Sequence, residues 1–600
     1  MCNSQKSYIP YYILGVLLFL MSSSLLARDY VAPFPLQNKI SDESYPKREA
    51  RAVWLTTLGG LDWPISKASS AAGRERQKQE LIDILDRLKA IHINTVLLQT
   101  RVRGSVIYPS KIEPWDVALT GQYGMDPGYD PLQFAIDECH KRGMELHAWV
   151  VTIPAYKVAQ TKQMGKTGIH AKKANLIKKH NDQYYLDPGQ PGTADYLVEI
   201  CSEIVRNYDV DGLHFDYIRY PENAGSFPDG DSYKKYGNGR NKAQWRRNNV
   251  THIVRSIYQR VKTLKPWVRI SSSPVGKFRD TQRFSARGWN CYDAVYQDAQ
   301  GWLREGIHDA LYPMMYFKGN NFYPFAADWR EQDNGRFVAP GLGIYFMDPA
   351  EKNWPLSDIT NELYFVRSYG LGGQCYFRMK FLLDNVKGLY DFLHDTFYAF
   401  PALTPAATWL DDVPPTSPSN FRTEMLPDGM ARLQWDPATD NVQEGGVRYN
   451  VYVSRRQPVD ASRAVNLVAA ALPEPYFDYN PKMLEANGFH LLVTAMDRFG
   501  NESKVETVSG SDQDSEVSFA DFAEAAAKYG CVEADAQGRV ALPQREVAFY
   551  AVTDLQGRIL TTGNYAPVIN VSSLPAGWYQ VRTLQKKGIS RIVLKFWKKS

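Results

Sequence analysis

From about Arg48 to Phe400, two apolar periods alternate along the chain: short runs with side chains alternating in character, then longer runs with apolar positions three and four apart. Arg51-Ala-Val-Trp-Leu-Thr-Thr57 predicts a strand, and Leu81, Ile84, Leu85 and Leu88 give the segment 76–91 one apolar helical face. The cycle repeats with strand 94–101, helix 131–142 stopping at Gly143, strand 144–150, helix 194–208, strand 210–217, helix 244–264 and strand 268–273. Strands at 309–316, 337–344 and 373–377 complete a set of eight. Strands alternating with helices predict an α/β domain, and this number fits a closed (β/α)8 TIM-type barrel over residues 45–400. An open doubly wound sheet would call for a Gly-rich phosphate loop after the first strand, and none is present.

Beyond the barrel the pattern changes. Residues 401–415 are rich in Pro and Thr and read as a linker, after which only short strands recur. Within 416–510, Ala431-Arg-Leu-Gln-Trp435, Tyr449-Asn-Val-Tyr-Val453, His490–Ala495 and Asp497-Arg-Phe-Gly-Asn501 make a segment that resembles an all-β fibronectin type III sandwich. Such a module implies a spacer or a protein-docking surface and no chemistry. Residues 515–600 pair a short Ala-rich helical pattern (519–529) with small strands, and Val552–Arg558, Leu574–Tyr579 and Ile592–Lys595 resemble the β-rich sorting tails of secreted bacterial proteins. At the other end, Lys6, the apolar run 11–21 and the small residues of 22–27 read as an export signal over 1–27. That run is too short to span a bilayer comfortably, so the expectation is an exported protein of the periplasm or cell surface, with no stable membrane span once the signal is removed.

Composition narrows the chemistry. A chain of 600 residues exceeds a single core and predicts two to four domains. The net charge of +5 is small and its basic residues are interspersed with acidic ones, which argues against nucleic acid as a partner. Aromatic residues make up 13% of the chain; flat rings suit the apolar faces of sugars as well as a large core. The cysteines after Cys2 (139, 201, 291, 375 and 531) are widely spaced with no CxxC pair, so neither a zinc site nor a dense disulfide framework is expected. No HxxxH or HExxH cluster and no Gly-x-Ser-x-Gly elbow occurs, and no metal or other cofactor is expected.

Asp211-Gly-Leu-His-Phe-Asp-Tyr217 is the most informative strand. Alternation places His214 and Asp216 on one face and Leu213, Phe215 and Tyr217 on the other; with the apolar set toward the helices, His214 and Asp216 point into the barrel. Asp216 falls at the strand's C-terminal end, where barrels hold their active sites, and an acid there is costly unless it is paired or used. It is the central catalytic candidate, with Arg219 close enough to keep it ionised, whereas Asp211 at the other end caps a turn. Gln99, Arg101 and Arg103 share one strand phase at its C-terminal end, as do His147 and Trp149 on the next strand, and Arg103, His147, Trp149, His214, Trp302 and Tyr316 are candidates to bind substrate.

These segments, together with Gln99-Thr-Arg-Val-Arg103, Gly128-Tyr-Asp-Pro-Leu132, His140-Lys-Arg-Gly-Met-Glu-Leu-His-Ala-Trp149 and Trp302-x-x-Glu-Gly-x-x-Asp309 before Tyr312-Pro-Met-Met-Tyr316, resemble the glycosyl hydrolase-like 10 family over roughly 45–400. Many members carry Pro-Gln before the Tyr that ends strand six, where this chain has Pro313-Met314-Met315. The resemblance implies a barrel glycosidase of bacterial envelopes acting on a polysaccharide, with peptidoglycan glycan strands, especially those lacking stem peptides, as the substrate class. Glycoside hydrolysis normally uses two carboxyl groups. Asp298 is the first expectation for the second, in a loop that could reach the barrel mouth, with Glu305 and Asp309 as rivals and Glu113 and Asp293 behind them. The alternative from a different class is a barrel without catalysis that serves as a glycan-binding or adhesive surface protein.

Overall fold

The computed structural model describes residues 45–281, 286–481 and 488–505 and, beyond these, parts of 531–598. The expected export signal and the Ala-rich segment 519–529 lie outside the described residues. Eight parallel strand positions organise the first domain: β1 (Ala50–Leu55), β2 (Thr95–Arg101), β3 (Glu145–Val151), β4 (Gly212–Asp216), β5 (Arg269–Ser272), β6 (Ala310–Leu311), a broken β7 (Phe337–Val338 and Gly341–Leu342) and β8 (Gly373–Tyr376). The first piece of β7 pairs with β6 and the second with β8, so the two ends of the sheet order are successive pieces of one strand. The break falls at Ala339-Pro340, where proline has no N–H to give to a ladder. Pro313 shortens β6 in the same way, leaving Met314 as an isolated bridge to Gly341.

Seven principal helices follow the strands: α1 (Ala71–Ala90), α2 (Pro131–Lys141), α3 (Pro191–Asn207), α4 (Lys242–Leu264), α5 (Ala299–Arg304), α6 (Tyr323–Glu331) and α7 (Leu356–Ser368). Four of their starts are capped by side chains that satisfy first-turn N–H groups: Ser70 for α1, Asp130 ahead of Pro131 for α2, Asn241 for α4 and Asp298 for α5. Two cores result. Outward strand residues such as Val53, Leu98, Leu213 and Phe215 pack on the helices, while Ala52, Trp54, Leu97, Trp149, Tyr312 and Cys375 fill the barrel interior. The register sets interior layers: His147 lies level with Gly212, Trp149 with His214, and Val151 with Asp216. A Cβ on Gly212 would stand 2.5 Å from the His147 ring, so the lowest of these layers has room only for glycine.

Residues 416–505 hold two three-stranded antiparallel sheets around Leu433, Trp435, Tyr449, Val451, Val493 and Ala495. They sit against the end of the barrel where strands begin. Arg498 donates to Asp209 and Asp211, both at 2.9 Å, and Gly143, at φ +65°, lies so near the Ala470 carbonyl that a Cβ would be 2.1 Å from it. The segment expected to be a linker is part of this joint: Leu403 N–H donates to Lys47 O at 2.8 Å, Thr404 Oγ1 to Glu145 at 2.7 Å and Trp409 Nε1 to Asp309 at 3.1 Å. The described parts of 531–598 form a five-stranded and a two-stranded sheet. No helix among the described residues is long and apolar enough to cross a membrane.

Candidate active site

Asp216 closes β4 at the opposite, C-terminal end of the barrel. The chain turns there through Tyr217, whose φ of 52° lies in the left-handed region. This turn aims the Tyr217 N–H at Asp216 Oδ1 (2.8 Å), which also accepts from Ser273 Oγ (3.1 Å), while Trp149 Nε1 donates to Oδ2 at 3.3 Å. It also breaks strand alternation. Tyr217 packs with the barrel interior instead of joining Leu213 and Phe215 against the helices. Burial raises the Asp216 pKa above the ordinary aspartate value; the Arg219 charge and the three hydrogen bonds oppose that shift without cancelling it.

His214 lies one layer below and is fully buried. The Trp54 indole N–H can only donate, so His214 Nε2 accepts from it at 3.1 Å, leaving Nδ1 to donate to Ser271 Oγ at 3.0 Å. Burial, reinforced by His147 and His308, holds the imidazole well below its usual pKa, so the ring is neutral. It is a support beneath Asp216, sealed from any substrate, and this corrects the expectation of a substrate contact. His147 is deeper still, 1% exposed, with Nε2 bonded to Glu145 at 3.1 Å near the start of β3. Trp302 is also removed from the mouth, since it is buried in α5 with its indole donating to Thr251 of α4 at 3.0 Å.

The expected second carboxylates are engaged in other contacts. Asp298 accepts from the Gly301 N–H at 3.1 Å as the cap of α5. Its electrostatic partners are Arg304, Arg247 and Glu305 in the helix layer. Glu305 follows α5 on the way into β6, at the barrel end away from Asp216, and pairs with Arg255 at 2.5 Å. Asp309 is buried at that same end on Lys262 (2.8 Å) and the Ile270 N–H (2.7 Å). Glu113 grips Arg101 through two bonds of 2.7 and 2.6 Å, and Asp293 stands 3.6 Å from Arg279.

What the fold does gather around Asp216 is Trp149, Ser273, Tyr217, Arg219 and Tyr316. Arg219 is 3% exposed, lies over the Tyr217 ring at 4.6 Å and the rim residue Trp289 at 5.7 Å, and donates to Glu222 at 2.8 Å. Burial works to raise the Glu222 carboxyl, but Arg219 overcomes it and leaves the group below its ordinary value. Tyr316 is half-buried, stacked on Phe377 at 5.2 Å; burial and the nearby Asp216 charge push its phenol well up, so it stays protonated. Arg103 is half-buried in the same electrostatic neighbourhood as Tyr217 and Glu222.

Glu222, Ser273 and Trp289 are absent from the sequence-level candidates. Ser273 had a signal, since it shares the inward phase of Arg269 and Ser271. Glu222 and Trp289 come from loops whose course no periodicity records. Among the described residues no group of His, Cys, Asp and Glu is arranged to hold a metal.

The glycosyl hydrolase-like 10 family model matches residues 49–340. The chain is 31% identical over 519 residues to "Glycosyl hydrolase YngK" of Bacillus subtilis (strain 168), covering 80% of this chain and 96% of that protein. It is 38% identical over 286 residues to "Glycosyl hydrolase DigH" of Escherichia coli (strain K12), covering 44% of this chain and 65% of that protein. Among solved structures, the PgaB (BpsB) glycoside hydrolase domain from Bordetella bronchiseptica is 14% identical with a TM-score of 0.38, covering 58% of this chain and 98% of that one.

Proposed function

Because this chain belongs to the glycosyl hydrolase-like 10 family, we propose that it is an exported glycosidase that cleaves bacterial envelope glycan, with peptidoglycan glycan strands as substrate and Asp216 as the proton donor. The observation that carries this reading is the environment of Asp216: a carboxyl at the C-terminal end of β4, with its pKa raised by burial and no direct ion pair among the described residues. A raised pKa keeps the proton available for the leaving oxygen as the sugar takes on oxocarbenium character. Glu222 is the partner we favour. It is held ionised by the same arginine that faces Asp216, so the two carboxyls are pushed apart in pKa, as acid and base or acid and nucleophile require. The Tyr316 hydroxyl and the Trp289 face supply a polar contact and a stacking surface at the mouth.

Export to the periplasm or cell surface rests on the signal pattern of 1–27, and we read 416–510 as a fibronectin type III-like module and 515–600 as a sorting-like tail. The test is release of new reducing ends from purified glycan strands by the wild-type protein and by Asp216→Asn. Cleavage by the wild type and loss of it in the folded variant support the assignment. A wild-type protein that binds the strands without cutting them is an adhesin or glycan-binding protein instead.

A further inference from the structure

The arginines around the mouth differ in one respect. Arg101, Arg219 and Arg378 each hold a carboxylate, from Glu113, Glu222 and Asp62 respectively. Arg103 follows β2 on the loop whose Gly104 lies against Tyr156 of the small antiparallel flap formed by 154–157, 177–180 and 183–186. Among the described residues, it makes neither a hydrogen bond nor an ion pair. Its electrostatic neighbours are Tyr123, Tyr185 of that flap, Tyr217 and Glu222, the last three of which also face Arg219. Arg219 itself keeps a buried Nε that has no acceptor among the described residues. A half-buried guanidinium gives up part of its hydration and, with no internal partner, is stabilised when a planar anion arrives. One uncompensated guanidinium fits a monoanion, and its aromatic surroundings fit a sugar ring.

We propose that Arg103 is a specificity residue that binds a carboxylate carried by the sugar next to the scissile bond, so that the site prefers an acidic glycan to a neutral one of the same backbone. This rests on the glycosidase reading above and adds the substituent that the site selects. Glycan strands stripped of their stem peptides carry one free carboxylate per disaccharide and are the natural probe.

The experiment compares such strands with the same strands after carbodiimide amidation of their carboxylates, for wild type, R103A and R103K. Amidation should reduce wild-type kcat/KM by about 10- to 100-fold, mostly through KM, as expected for loss of a charge-assisted bidentate contact. In R103A the ratio between the two substrates should collapse toward one, while R103K keeps part of it; melting temperatures should match the wild type, since Arg103 supports no internal contact. Equal cleavage of both strand forms by the wild type, or an undiminished preference in R103A, would overturn the anion site and leave the glycosidase reading standing. Cleavage of neither form by the wild type would remove both.

Discussion

Asp211 and Asp216 flank the same strand, five residues apart, and are treated in opposite ways by the fold. Both are buried, and burial alone would raise both. Around Asp211 the charges of His140, Arg498 and Arg448 more than offset burial, and its oxygens take bonds of 2.9 Å from His140, 2.9 Å from Arg498 and 2.8 Å from the Leu146 N–H, so its pKa is driven down. Asp216 has one arginine in its field but, among the described residues, no direct ion pair, and its pKa stays up. The first carboxyl is fully occupied in joining the barrel to the β-module, while the second is the one we propose for catalysis. In a parallel barrel the difference follows from polarity: strand starts meet helix ends and other domains, whereas strand ends meet loops that can leave a group unsatisfied.

The largest effects that would break this contrast come from exchanging each acid for its amide. Asp216→Asn should lower kcat by about 10³-fold or more, the scale of losing a general acid, with a melting temperature at or slightly above that of the wild type because no buried charge is left to desolvate. Reducing-end release and calorimetry measure the two. The same exchange at Asp211 should do the reverse. Removing one member of a buried ionic cluster leaves Arg498 and His140 with only the more exposed Asp209 as a carboxylate partner, with an expected cost of about 3 kcal/mol, read in denaturant unfolding, while activity per folded molecule at 25 °C is retained. Two variants with the same phenotype would mean that the ends of the strand are not divided in this way.

The barrel was legible in the sequence because it is built from repetition: each strand and helix carries its own apolar period, and the predicted ends agree with β1 to β5 and β8 to within a few residues. Legibility failed at Pro313 and Pro340, where apolar runs continue but the ladder cannot. Within the site, inward phase and strand end singled out Asp216, and Trp149 came with it. Phase alone could not rank depth, so His147 and His214, which share the inward face, turned out to be sealed layers below the mouth. Asp298, expected in a loop that could reach the mouth, has the ordinary position of a helix cap, in which a carboxylate is used by backbone N–H groups. Glu222 stands only six residues beyond Asp216, and its relevance comes from Arg219, a tertiary contact that no spacing rule encodes. The linker composition of 401–415 was likewise misleading about rigidity, because Leu403 bonds through its backbone, to which composition is blind.

A smaller effect sharpens the contrast through pH. Asp211 has a folded-state pKa below its unfolded value, so its contribution to stability is present above about pH 4 and is lost as pH falls toward the folded value. Wild-type protein should therefore lose more stability between about pH 5 and pH 3 than Asp211→Asn does, with the two unfolding curves converging on acidification. Asp216 has the opposite sign: its raised pKa disfavours the folded state once pH rises through its unfolded value, so Asp216→Asn should gain on the wild type toward neutral pH. Parallel pH dependences in the two variants would contradict the assignment of the charges.

The smallest expected effect is the most specific to the chemistry. Ser273 donates to Asp216 Oδ1 at 3.1 Å and thereby favours the ionised carboxyl. Ser273→Ala removes that bond and should raise the Asp216 pKa further. A hydrogen bond worth about 1 kcal/mol corresponds to roughly 0.7 of a pH unit. If Asp216 gives its proton to the leaving oxygen, activity declines as pH climbs through that pKa, and the alkaline limb of the kcat/KM profile should move upward by about this amount while the acid limb, set by Glu222 on Arg219, stays in place. If Asp216 instead acts ionised, as nucleophile or base, the same substitution should move the acid limb upward and leave the alkaline limb alone. Which limb moves in this one variant thus decides which of the two carboxyls carries the proton.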